Sequence, residues 1–152
     1  MLLQATYPTP EHQAAADVIV DFFVSSYKID AVLLVNSCAR GKATRDSRLD
    51  IVVLAQPELL RPQLSLLETA WEEFEKSNQT IKALYSVGKY SVVHPDFIHG
   101  VFAPEERDEA AGPDDFELGV GNFLAYSVPL WQGSDYLAQL KGQWLPFLSL
   151  DK

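Results

Sequence analysis

Sulfur is nearly missing from this 152-residue chain, which carries one cysteine, Cys38, and one methionine, Met1. An internal disulfide is thereby excluded, and so is a metal cluster built on thiolates. Basic residues are scarce as well: 12 Lys and Arg stand against 21 Asp and Glu, a formal net charge of −9. Such an excess of acid repels a nucleic-acid backbone, so general DNA or RNA binding is not expected, although a local basic patch can still hold a free nucleotide. No run approaches the roughly 18 apolar residues of a membrane span, and residues 1–8 have neither a basic region nor an apolar stretch of signal-peptide length. The expectation is an unprocessed cytoplasmic protein with no membrane partner.

Apolar material, by contrast, is ample. Hydrophobic residues make up 47% and aromatics 11%, enough for one core and hence one domain over 1–152. Thr9-Pro10-Glu11 opens a helix over 10–26, with Thr9 as cap, Pro10 at the first helical position and an acid in the first turn. Residues 31–35 and 49–55 are short apolar runs of the kind that form buried strands, with a small polar loop over 36–46 between them. Leu60, Leu64, Leu67, Trp71 and Phe74 trace the stripe of a helix over about 62–77.

Strands are expected at 81–87 and 89–93, the second closed by His94-Pro95, and an acidic surface loop at 103–117. Two helices over about 113–126 and 134–144 follow, the last capped by Ser134. The fold class is therefore α/β, in the α+β sense: a small mixed sheet packed by helices. The core covers about 10–102 and the C-terminal helical part about 113–148.

The informative segment is the polar loop with its flanks. Asn36-Ser37 is followed by ten residues and then by Arg48-Leu49-Asp50 entering a strand, with Ala39-Arg40-Gly41, Ala43-Thr44 and Ser47 between. This pattern resembles the signature of the nucleotidyltransferase superfamily, including its minimal and aminoglycoside-modifying members: a Gly-Ser pair, ten residues, then Asp-x-Asp. Residues 121–130 also resemble a segment of small proteins carrying this domain.

The resemblance implies a nucleotidyltransferase-like fold. The implied reaction is Mg²⁺-dependent transfer of a nucleoside monophosphate from an NTP to a hydroxyl of a small-molecule or protein acceptor. It also implies nucleotide contacts from Asn36, Ser37, Arg40, Gly41, Lys42 and Ser47. Two carboxylates two residues apart on a strand point to one side and hold cations against the triphosphate. The metal-binding candidates here are Asp50, Asp46 and Asp96, the last lying just past the expected strand end. Minimal members often act beside a helical partner protein, some as antitoxins. The alternative to an enzyme is thus a non-catalytic nucleotide- or protein-binding module, for example one half of such a pair.

Arg48 stands where the first Asp of the signature belongs, and it is a permanent cation. Three readings follow. Arg48 pairs with Asp50 and fills the metal position; or its guanidinium meets nucleotide phosphate directly; or Asp46 takes over as second carboxylate, and Asp46, Arg48 and Asp50 form the catalytic group. Ser37 reads either as a phosphate contact or as a turn residue bonded to its own loop. Arg40, Lys42, Arg45 and Arg48 place four cations within nine residues of an acidic chain, which favours an anionic ligand. Cys38 has no histidine near it in sequence and is not expected to be a nucleophile. His94 and His99 lack a metal-ligand spacing, and His12 is expected on a helix face.

Overall fold

The computed structural model describes residues 5–101 and 115–147. Helix α1 runs Pro10–Ser26, with the Thr9 hydroxyl accepting from the His12 N–H at 3.1 Å. Strand β1 (Ala31–Val35), a short helix α2 (Asn36–Arg40) and strand β2 (Leu49–Leu54) follow. Then come α3 (Pro57–Ser77), α4 (Gln79–Tyr85), β3 (Val93–Ile98), α5 (Asp115–Ala125), β4 (Val128–Gln132) and α6 (Tyr136–Trp144).

The sheet has the order β3-β2-β1-β4; β1 pairs antiparallel with both β2 and β4, while β3 runs parallel to β2. It is the small mixed sheet that the α+β reading anticipates. The central strands β1 and β2 are buried along their whole length, as continuous apolar runs require when both faces are covered. One face, carrying Val32, Leu34, Ile51 and Val53, packs with Ile19 and Phe23 of α1, Leu67 and Trp71 of α3, and Ile81 and Leu84 of α4. The other, carrying Leu33, Val35, Val52 and Leu54, packs with Leu124 of α5 and Leu137, Leu140 and Trp144 of α6. No helix among the described residues is long and apolar enough to cross a membrane.

Several elements differ from the sequence expectation. Residues 81–85 lie in helix α4, not in a strand: Asn78 caps it, its Oδ1 accepting from the Ile81 N–H at 3.1 Å, and Ile81 and Leu84 fall on one buried helical face. The third strand is Val93–Ile98, so His94-Pro95 lies inside it rather than ending it. Strand β4 lies in the expected connection between the helices over 113–126 and 134–144, and it contains Pro129. Both proline-bearing strands are edges of the sheet, where a missing N–H need not break a ladder.

Helix α3 starts at Pro57, earlier than its leucine stripe suggests, with Pro62 inside it. Helix α6 starts at Tyr136. The Ser134 hydroxyl accepts from the Tyr136 N–H at 3.3 Å, although the cap position belongs to Asp135. The acidic stretch up to residue 114 lies outside the described residues.

Candidate functional site

The signature segment is the connection of the β1–β2 hairpin. The register pairs Val35 with Asp50, so the connection, residues 36–48, leaves the sheet at Asn36 and re-enters at Leu49. Where a plain loop was expected, residues 36–40 form α2, anchored by the buried Cys38 and Ala39. Asn36 has φ 62 and Gly41 φ 72, both left-handed. Asparagine is among the few side chains that tolerate this region. Gly41 closes α2, the Ser37 carbonyl accepting from the Gly41 and Lys42 N–H groups.

The rest of the loop is tied down from three sides. The Ser47 hydroxyl accepts from the Thr44 N–H at 2.8 Å, and the Ser47 N–H donates to the Thr44 carbonyl at 2.9 Å, closing a turn. Asp46 Oδ1 accepts from the Tyr90 N–H at 2.7 Å and lies so close to Gly88 that a β-carbon there would sit 2.5 Å away. His12 lies on a face of α1, as expected, and is fully buried there: Nε2 meets the Ser47 carbonyl at 2.8 Å and Nδ1 meets the Thr9 hydroxyl at 2.6 Å. A carbonyl only accepts, so this network places a ring proton on Nε2.

Arg48, just before β2, meets Asp50, the second residue of the strand. Arg48 Nη2 lies 3.6 Å from Asp50 Oδ1, with the arginine side chain 53% exposed and the aspartate 5%. That separation is too long for a hydrogen bond, and among the described residues Asp50 Oδ1 has no hydrogen-bond partner. Parallel strand β3 places His94 opposite Asp50 and Asp96 opposite Val52. Asp96 therefore belongs to β3 itself, a correction to its expected place beyond the strand. His94 Nε2 stands 3.8 Å from Asp96 Oδ2.

The sequence-predicted residues thus divide. Asn36 and Ser37 lie beside Arg48 and Asp50 at the hairpin mouth, and Cys38 Sγ approaches the Arg48 carbonyl at 3.9 Å. Among the described residues the Ser37 hydroxyl has no hydrogen-bond partner, unlike that of Ser47, which holds the turn. Arg40 is committed elsewhere, its guanidinium 5.1 Å over the Tyr126 ring. Lys42 and Arg45 are exposed and make no ion pair among the described residues. Burial, and then the charge of Asp50, push the Cys38 thiol up to about 11, which keeps it protonated and unreactive.

Asp46 lies outside β2 and is held by the Gly88–Tyr90 turn. Among the described residues no three His, Cys, Asp or Glu side chains are arranged to hold a metal ion. A magnesium ion needs close oxygen ligands in near-octahedral geometry, and here the carboxylate nearest the mouth has a guanidinium for its neighbour. The residues present do not fit Mg²⁺.

Sequence reasoning missed two supports. His12 sits three residues after its cap, a spacing that signals a reciprocal cap contact, but nothing local announced its reach to Ser47. Asp30 is buried: Oδ2 accepts from the Gln56 N–H at 2.8 Å and Oδ1 from the Ser134 hydroxyl at 2.7 Å. It joins the starts of β1, α3 and α6. No protein-family model, curated protein or solved structure matches the chain.

Proposed function

We propose that this chain is a nucleotidyltransferase-like domain that binds the polyphosphate of a nucleoside triphosphate directly, through arginine, without metal-dependent transfer to an acceptor. The observation that carries this reading is the Arg48–Asp50 pair: a half-exposed guanidinium stands where the signature has a metal-binding carboxylate, leaning on the buried Asp50. Replacing carboxylate by guanidinium changes the local charge by two units and repels a divalent cation. It also brings, within the protein, the positive charge and forked donors that phosphate oxygens accept.

Supporting groups surround it. The Ser37 hydroxyl and the Asn36 amide are available beside Arg48, and Lys42 and Arg45 add positive charge near the mouth of a chain with net charge −9. The loop is preorganised by His12, Ser47 and Asp46, so little ordering remains for the ligand to impose.

The reading is tested by calorimetry with ATP, GTP, CTP and UTP in the presence of EDTA. At least one should bind to wild type, with Arg48→Gln weakening it tenfold or more, and wild type should transfer no label from an α-labelled NTP. Absence of binding by all four would remove the proposal; robust Mg²⁺-dependent transfer would replace it with an enzyme.

A further inference from the structure

A cavity lies at the opposite end of β3, about 16 Å from His94 at about 3.3 Å per residue, and it is independent of the nucleotide reading. Its volume is about 390 Å³, at the lower end of the about 300–1,000 Å³ typical of small-molecule sites. Leu60, Leu64, Phe97 and Trp144 are among its mostly apolar walls; among the described residues its titratable lining is Arg61 and His99, with no acid.

The floor is rigid. Trp144 Nε1 donates to the Gly100 carbonyl at 2.7 Å, and the Tyr136 hydroxyl donates to the His99 carbonyl. Gly100 has φ +71, and a β-carbon there would sit 2.9 Å from Leu140 Cδ1, so this close approach needs glycine.

The two polar wall groups are donors. His99 Nδ1 accepts from the Val101 N–H at 3.1 Å. Burial, and then the Arg61 charge, hold this imidazole below its ordinary pKa, so at neutral pH it is uncharged. With Nδ1 an acceptor, the ring proton is on Nε2, which has no hydrogen-bond partner among the described residues. Arg61 makes no ion pair among them either.

We propose that this cavity binds a small amphipathic carboxylic acid, its apolar body among Leu60, Leu64, Phe97 and Trp144 and its carboxylate met by Arg61 and the Nε2–H of His99. The apolar walls supply affinity and the two donors select an anionic head, since a neutral head would leave the arginine without a charge partner. An alkyl and an aryl acid share this chemistry.

The test measures thermal stabilisation and calorimetric affinity of the full chain with decanoate and 2-naphthoate, each against its neutral alcohol, decanol and 2-naphthylmethanol. At least one acid should bind tenfold or more tightly than its alcohol, and which acid wins identifies the body. Arg61→Gln, at an exposed position, should reduce that preference to threefold or less, and Leu64→Trp, which fills the cavity, should abolish binding. No binding by either acid, equal binding of acid and alcohol, or an acid preference unchanged in Arg61→Gln would each overturn the assignment.

Discussion

Arg48, just before β2, and Asp50, the second residue of the strand, approach to 3.6 Å, yet one is half in water and the other is buried. The aspartate depends on the arginine, because its Oδ1 has no hydrogen-bond partner among the described residues. Breaking a fully buried ion pair costs about 3–5 kcal/mol; this long and half-solvated pair should contribute less, about 1 kcal/mol. Arg48→Ala is expected to lose that amount in urea unfolding, and Asp50→Asn, which removes the stranded charge, is expected to be neutral or stabilising.

Arg48→Asp reverses the sign of the site. Two carboxylates then stand together at the start of β2, with no cation paired to them among the described residues, so the variant should be destabilised in EDTA by about 2 kcal/mol or more. Mg²⁺ should recover part of that loss, whereas wild-type stability should be insensitive to Mg²⁺. Thermal denaturation with and without Mg²⁺ compares the two proteins.

His12 links the first turn of α1 to the Ser47 carbonyl across 35 residues of sequence. Removing a buried donor leaves its acceptor unsatisfied, at about 1–3 kcal/mol, and His12→Ala also opens a cavity. A loss of about 3 kcal/mol is expected, together with faster amide exchange in residues 42–48, which hydrogen-exchange mass spectrometry reads directly.

Asp30 holds the Gln56 N–H and the Ser134 hydroxyl with separate oxygens. Asp30→Ala strands both donors and should cost about 3 kcal/mol, while Asp30→Asn, which keeps one acceptor, should cost less. Chemical unfolding of the two variants distinguishes these values.

Alkaline pH should weaken the fold through Cys38. The thiol ionises near 9 in the unfolded chain and near 11 in the folded protein, so between those values the native state binds the extra proton and stability falls as pH rises. The full contribution is present below about 9. Cys38→Ala should flatten that part of the profile, and the wild-type thiol should be unreactive toward a disulfide reagent at pH 8.

How far the sequence was readable follows from how local each signal is. Helix α1 announced itself through Thr9-Pro10 and its apolar spacing, and β1 and β2 through unbroken apolar runs. The Arg48–Asp50 pairing was among the expected readings because i and i+2 on a strand must share a face. Strands β3 and β4 were obscured by Pro95 and Pro129, which are tolerated at sheet edges, and edge position is a property of topology. Helix α4 was concealed because Ile81-Lys82-Ala83-Leu84-Tyr85 also suits a strand; only the Asn78 cap decides it. Asp46 was a metal candidate because nothing within the loop reveals a partner at Tyr90, 44 residues away. Separation in sequence likewise concealed the attachment of His12 to Ser47, 35 residues apart, and of Asp30 to Ser134, 104 residues apart.

The most direct test of direct phosphate recognition is a thermal shift of wild-type protein with each of the four NTPs, with and without Mg²⁺. A ligand at about 100 times its dissociation constant stabilises by about 2.7 kcal/mol, which is readily measured. The proposed binding of phosphate by Arg48 predicts stabilisation by at least one NTP in EDTA, undiminished or reduced by Mg²⁺ and lost in Arg48→Gln. Stabilisation only when Mg²⁺ is present would contradict it, because the site would then hold a metal in spite of the guanidinium.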